Sequence, residues 1–470
     1  MSDTVLLTGM TPARRRLAFY LLLLGAFIPS LNMFVVTIAL PAIREALGAS
    51  ASETSLVVSG YSSAYAVCLV TGGRLGDLFG RRLMFLIGMG AFTAASLLCG
   101  FAPNAETLVA GRVLQGVSAA LMAPPVLAGI RTLFSPEEIP WALNVYGTGI
   151  GIAVAAGQLL GGILVAGDFW QLGWRSAFLI NVPVGIFALL AGPLLVPESG
   201  GRDKPRLDPG GVVLLSAALA SFIVPLSMGR ERHWDAWILA GLSLSPILAI
   251  GFVSFERWYQ RHGGTPLLQA PLLQIRSFRR GLLVAFLFFF TSPFYLFFSL
   301  YLQAGLHEGP LAAGLAVLPY GIANFVGPML ATRFPAALRP WLFGIGMMLE
   351  VLGYAAAALC AFTLTGGAIL FAILFMAGFG QGVAMPEMIN SIIGEIPGEH
   401  TGLAVGTMNS TLQLGAAVSV AAIGSLFFAV LGSGTTAPDF GQALAISMSA
   451  QVVALTLSML LGLRAAGRRP

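Results

Sequence analysis

Residues 17–39 read LAFYLLLLGAFIPSLNMFVVTIA, directly after Arg14, Arg15 and Arg16. An uncharged run of this length matches a helix crossing a bilayer core of roughly 30 Å. It is too long for the core of a secretory signal and lacks a small-residue cleavage site, so it reads as a first membrane span. Outward from it, a window of about 19 residues finds fourteen candidate spans, centred near 28, 64, 92, 120, 152, 186, 217, 246, 291, 321, 352, 378, 415 and 452. The composition agrees: 57% of the 470 residues are hydrophobic and 10% charged, against about 25% charged in a soluble domain. A soluble fold has too little interior to hide that much apolar surface. In lipid every backbone amide must be paired, within helices or within a closed barrel. Barrel strands would be half as long and would alternate, so the fold class is all-α integral membrane.

The formal charge of +5 does not point to nucleic acid. The 25 basic residues are spread thinly through short loops, Lys204 is the one lysine, and no basic face forms to track phosphates. Cys68, Cys99 and Cys360 lie far apart within apolar runs, which argues for packing rather than for disulfides or a metal knuckle.

An even number of spans puts both termini on one side. With the amino terminus cytoplasmic, that side holds Arg14 to Arg16, Arg74, Arg81, Arg82, Arg131, Arg202, Lys204, Arg206, Arg257, Arg261, Arg276, Arg279, Arg280, Arg333, Arg339, Arg464, Arg468 and Arg469. Those twenty oppose four outside, Arg44, Arg175, Arg230 and Arg232, and the bias sets the orientation in a plasma (inner) membrane. The longest cytoplasmic connections, Pro197 to Pro209 and Glu256 to Arg280, bracket spans seven and eight. The predicted organisation is a cytoplasmic segment 1–16, a six-helix bundle 17–196, an inserted helix pair with flanking loops 197–280, a second six-helix bundle 281–463 and a cytoplasmic tail 464–470. Two bundles around a midplane site suit alternating access.

The sharpest local signal joins spans two and three: Gly73-Arg74-Leu75-Gly76-Asp77-Leu78-Phe79-Gly80-Arg81-Arg82. Glycines let helix ends approach, and Asp77 can accept from arginines or cap the next helix, making a conformational latch of Gly73, Asp77, Gly80, Arg81 and Arg82. This run resembles the loop signature of the major facilitator superfamily. Further matches follow in order: Leu31 to Pro41 ending span one, Arg112-Val113-Leu114-Gln115-Gly116 in span four, Gly157-Gln158-Leu159-Leu160-Gly161-Gly162 in span five, Trp174 to Gly185 opening span six, and Leu207-Asp208-Pro209-Gly210-Gly211 before span seven. Together they resemble the fourteen-span drug:proton antiporter branch, whose fold is two six-helix bundles plus an inserted pair.

A charge inside a span is costly unless it faces a polar interior and finds a partner, which singles out Arg112. The resemblance associates it with proton transfer and cavity electrostatics. Gly157, Gly161 and Gly162 permit tight helix packing, and the resemblance makes span five an export motif, with Gln158 where the family's proline usually stands. Many relatives place an aspartate where this chain has Asn32, which cannot titrate. Proton coupling needs a group whose pKa crosses the ambient pH as access alternates, and Glu387 in span twelve and Glu350 in span eleven are the carboxylates placed well inside spans. By analogy span twelve lines the cavity and span eleven lies more peripherally, which favours Glu387; Pro386 beside it would free carbonyls toward a polar wall. Glu395 falls at the cytoplasmic mouth. Candidates for the substrate cavity are Asn32, Gln115, Tyr295, Tyr320, Asn324, Asn409 and Gln413. Phe286, Phe288, Phe289, Phe290, Phe294, Phe297 and Phe298 crowd span nine; facing lipid is the commoner use of such a run, with part of it turned inward.

These features predict a secondary exporter of hydrophobic or amphipathic small molecules, not an enzyme, working as a monomer in membrane lipid with a proton gradient as energy source and no cofactor. No phosphate-cradling GxxxxGK[ST] loop occurs in the sequence. The main rival is an exporter of one metabolite or natural product, since acidic cavity residues are scarce. A membrane enzyme would need more than His233, His262, His307 and His400, scattered in or beside loops. A non-transporting receptor would need a soluble output domain, and no loop exceeds some 25 residues.

Overall fold

A computed structural model describes residues 10–135, 137–198, 208–229, 232–264, 266, 274–331, 333–335, 338, 341–393, 396 and 401–466, excluding the side chains at 70, 77, 131, 140, 143, 144, 401–403, 405 and 464–466. Arg202, Lys204, Arg206, Arg230, Arg339, Glu395, His400, Arg468 and Arg469 lie outside the described residues, as do the side chains of Asp77, Arg131 and Arg464.

Local chemistry sets the helix boundaries. Ser50 and Glu53 form a reciprocal cap at the start of the second helix, with the Ser50 N–H donating to Glu53 Oε2 at 2.8 Å. Asn104, Asp208 and Asp235 each cap a helix through a side-chain oxygen, and Gly48 ends the first helix at φ +61°. The result is α1 (Pro12–Leu47), α2 (Ala51–Phe79), α3 (Arg81–Gly100), α4 (Ala105–Leu133), α5 (Ile139–Gly167), α6 (Gly173–Leu195), α7 (Pro209–Met228), α8 (Ala236–Arg261), α9 (Arg276–Gly305), α10 (Pro310–Ala331), α11 (Leu342–Phe362), α12 (Ala368–Ile393), α13 (Thr401–Leu431) and α14 (Ala437–Ala466). Among the described residues, thirteen of these are long and apolar enough to cross a membrane. The remaining helix, α2, is rich in serine. It can be so because Ser52, Ser55, Ser59 and Ser62 are buried between α4 and α13, and Ser59 and Ser63 donate to carbonyls one turn back at 2.9 and 2.6 Å.

Helices α1–α6 pack chiefly on one another, as do α9–α14, and α7 pairs with α8. One face of the molecule gathers Arg14, Arg15, Glu138, Leu194, Arg82 and Glu198 through hydrogen bonds and two ion pairs, and it is called the basic face below. The two bundles meet toward the opposite face. Gln303 donates to the Ile38 carbonyl at 3.0 Å, the Phe34 and Tyr295 rings stand 4.8 Å apart, and Ser55 abuts Gly424. Those contacts close the seam on that side.

The phenylalanine-rich run is divided, with more of it turned inward than facing lipid alone would give, while Phe286, Phe289 and Phe290 stay half-buried. Phe288, Phe294, Phe297 and Phe298 are buried at 2% exposure or less, because α9 is broken by a 3₁₀ turn at Phe289–Thr291 and widened at Tyr301–Gly305, which turns its aromatic side into the second bundle. Phe294 lies between Tyr295, Tyr320 and Tyr354, with ring centroids 5.4 Å from each.

Candidate functional site

Arg112 projects from α4 into the first bundle and is wholly buried. Its Nε donates to the Val57 carbonyl at 2.9 Å, and Nη1 donates to Asn32 Oδ1 at 2.7 Å and Gln115 Oε1 at 2.9 Å. The guanidinium lies 4.3 Å over the Tyr61 ring. Gln115 passes the network on, its Nε2 donating to Ser96 Oγ at 2.8 Å, and Asn181 Nδ2 reaches the same hydroxyl at 3.4 Å. All these acceptors are neutral, so dipoles and an aromatic face, not an opposite charge, support the cation. Arg112 Nη2 and Asn32 Nδ2 are buried donors without a hydrogen-bond partner, a concentration of unspent donor capacity in one spot. Cys99, read from the sequence as apolar packing, also touches this network: its thiol lies 3.8 Å from Gln115 Oε1.

A second polar cluster occupies the second bundle. Asn324 Nδ2 donates to Gln381 Oε1 at 2.6 Å, and Gln381 Nε2 donates to Thr291 Oγ1 at 3.1 Å. Tyr354 OH reaches the Thr291 carbonyl at 3.4 Å and Tyr320 OH at 3.5 Å. The break in α9 places Thr291 there, and glycines bring the helices in: a Cβ at Gly382 would lie 2.4 Å from the Asn324 carbonyl, and one at Gly380 2.5 Å from the Glu350 amide. Glu350 is fully buried, with neither carboxyl oxygen hydrogen-bonded, and within electrostatic range of Tyr295, Tyr320 and Tyr354. Its side of α11 faces inward rather than toward the periphery. Glu387 is half-buried on α12 beside Pro386.

The structure therefore brings Asn32, Gln115 and Arg112 together, and separately Tyr295, Tyr320, Asn324 and Glu350. Asn409 and Gln413 are half-buried on α13, Gln413 Oε1 having no hydrogen-bond partner. Sequence reasoning did not find Gln381, Thr291 and Tyr354, polar residues scattered over three spans without a shared motif. Among the described residues, no group of three His, Cys, Asp or Glu could hold a metal.

At the loop signature, Gly80 sits at φ +100° and a Cβ there would lie 2.5 Å from Glu198 Oε1. The Glu198 carboxylate pairs with Arg82 Nε at 3.3 Å and accepts from the Arg82 amide, at the amino end of α3. The described partner of Arg82 is thus Glu198, which follows α6 and which the motif did not reveal. A Cβ at Gly73 would lie 3.7 Å from Pro124 Cβ, and the Arg81 side chain runs 3.7 Å from the Cβ position of Gly76. On α5, Gly157 and Gly161 press against α1 at Leu31, Phe34 and Val35, while Gly162 presses against Pro310 and Leu311 of α10. Gln158 gives its carbonyl to the same seam, 2.6 Å from the Cβ position of Gly314, and its buried side-chain amide has no hydrogen-bond partner.

The Major Facilitator Superfamily profile matches residues 22–420, and the chain belongs to that family of membrane transporters. It is 37% identical over 441 residues to the probable actinorhodin transporter of Streptomyces coelicolor, covering 91% of this chain and 75% of the relative. It is 30% identical to the tetracenomycin C resistance and export protein of Streptomyces glaucescens (87% and 75% covered) and 29% identical to the multidrug efflux pump LfrA of Mycolicibacterium smegmatis (92% and 84% covered). Among solved structures, a bacterial homolog of the human lysosomal transporter Spinster, in an inward-facing and unoccupied conformation, superposes with a TM-score of 0.68 at 18% identity over 97% of this chain and 98% of that one. A peptide transporter POT in complex with sulfate gives 0.67 at 14% identity, over 96% and 95%.

Proposed function

We propose that this protein exports drug-like or natural-product small molecules across the plasma (inner) membrane in exchange for protons, as a monomer in lipid with the basic face and both termini cytoplasmic. What carries the reading is the pairing of one buried polar cluster per bundle with a seam closed at the face opposite the basic one. Such a molecule can load from the cytoplasm and must reorganise that seam to release outward. The relatives named as a tetracenomycin C resistance and export protein and as a multidrug efflux pump support the direction. The scarcity of acidic groups near Arg112 and the relatives named for single compounds favour a narrow natural-product substrate over a broad set of cationic drugs.

Proton coupling is assigned first to Glu387, with Glu350 as the alternative and Arg112 setting the electrostatics of the opposing bundle. The test is transport in proteoliposomes under an imposed pH gradient against a panel of aromatic compounds, repeated with Glu387→Gln and Glu350→Gln. Loss of gradient-driven transport in Glu387→Gln alone supports the first assignment, and loss in Glu350→Gln alone moves it to the second carboxyl. Gradient-driven transport surviving the double substitution rejects carboxylate coupling, and binding without any flux supports a receptor instead.

A further inference from the structure

The inserted helix pair is held to the rest of the molecule in two physically different ways. At the basic face, Arg74 near the end of α2 is 7% exposed, and its Nη2 donates to the Pro266 carbonyl beyond α8. The same guanidinium interacts electrostatically with Asp208, Glu256 and Tyr259. Asp208 is 2% exposed and caps α7, its Oδ1 accepting from the Gly211 amide at 2.8 Å while Oδ2 stays buried with no hydrogen-bond partner. Glu256 of α8 is 4% exposed. A Cβ at Gly211 would lie 2.3 Å from Glu256 Oε1 and 2.5 Å from Asp208 Oδ2, so both carboxyl groups converge on one spot that only glycine leaves open. Gly210 gives similar room to Phe255. Two carboxylates crowded together repel unless a cation faces them, and that cation comes from α2.

Toward the second bundle the contact is different in kind. Ile223 of α7, flanked by Leu219, Phe222 and Leu226, rests on Ala417 and Ala421 of α13, with Leu56 of α2 alongside. Apolar contact is non-directional, and a face with two alanines lets a packed helix shift by small shear steps. A buried charge cluster fixes both position and register, because displacement would part the carboxyl groups from the guanidinium and leave their charge buried and uncompensated.

We propose that Arg74 is a positioning residue that clamps the inserted pair to the first bundle, so that α7 and α8 travel with α1–α6 and slide over α13 as the bundles rock. The Leu207 to Gly211 motif thereby gains a structural role, in which Asp208 supplies the charge while Gly210 and Gly211 admit α8.

The test uses electron–electron distance measurements between spin labels on the full chain in lipid nanodiscs, with Cys68, Cys99 and Cys360 replaced by alanine. Labels go at Phe79 (59% exposed) and Val213 (65% exposed), and at the exposed Asn390 of α12. The Phe79–Val213 pair should give one narrow distance population, lost on Arg74→Gln and on Asp208→Asn and kept in Arg74→Lys, which preserves the charge. When pH is varied, Val213–Asn390 should shift together with Phe79–Asn390 while Phe79–Val213 stays fixed. A narrow Phe79–Val213 population in Arg74→Gln overturns the clamp, and a fixed Val213–Asn390 distance beside a shifting Phe79–Val213 distance assigns the pair to the second bundle instead. Glu256→Gln provides an independent variant should Arg74→Gln fail to fold. The pH arm rests on the proposed proton coupling, whereas the Phe79–Val213 population and its response to Arg74→Gln, Arg74→Lys and Asp208→Asn need neither substrate nor a pH change, so failure of the clamp and failure of the exporter reading are distinguishable.

Discussion

Neighbouring glycines on α5 should respond differently to the same added methyl group. Gly161 lies against α1, its Cβ position 2.9 Å from the Val35 carbonyl and 3.0 Å from Ile38 Cβ; Gly162 lies against α10, its Cβ position 2.8 Å from the Pro310 carbonyl and 2.9 Å from Leu311 Cα. Backbone atoms cannot rotate away, so each alanine forces a helix displacement costing about 1–3 kcal/mol. The gain in helix propensity, about 1 kcal/mol, is equal in every conformation and cancels from any equilibrium between them. On the proposed alternating access, the α1–α5 contact lies within one bundle and persists, whereas the α5–α10 contact parts as the seam opens. Gly162→Ala should therefore bias the protein toward opening that face by about 2 kcal/mol, roughly thirtyfold in the equilibrium. Gly161→Ala should lower thermal stability without that bias. The readout is the alkylation rate of Ser55→Cys, a position 2% exposed in the closed seam, in a background free of the native cysteines. Gly314→Ala, whose Cβ would lie 2.6 Å from the Gln158 carbonyl, should reproduce Gly162→Ala. Equal alkylation rates in Gly161→Ala and Gly162→Ala would refute the assignment of these two faces.

Gly80→Ala should cost more thermal stability than Glu198→Gln, because it adds left-handed strain of about 1–3 kcal/mol to a clash with the carboxylate. The Arg82–Glu198 pair is 36% and 42% exposed and is worth under about 1 kcal/mol; melting curves in detergent order the two. Arg112→Lys should lose transport while retaining expression, since one ammonium cannot span Val57, Asn32 and Gln115 as the planar fork does. Wild-type flux in that variant would show that charge alone suffices.

Much of the fold was legible in the sequence. Thirteen of the fourteen helices follow from apolar run length, because lipid punishes unpaired backbone wherever it occurs, whereas the serine-rich α2 is sheltered by its packing between α4 and α13. Arg112, Asn32 and Gln115 could be found because a charge in a span is conspicuous and a local motif surrounds it. What one dimension does not carry is which faces meet. Gln381, Thr291 and Tyr354 come together only because α9 breaks at Phe289–Thr291 and glycines on α12 admit α10 and α11. Glu198 pairs with Arg82 across 116 positions, and Asp208 and Glu256 converge on Gly211 from two helices. Hydrophobicity is a property of each residue and fixes what enters lipid, whereas partnership between polar side chains depends on helix rotation and depth, which packing alone decides.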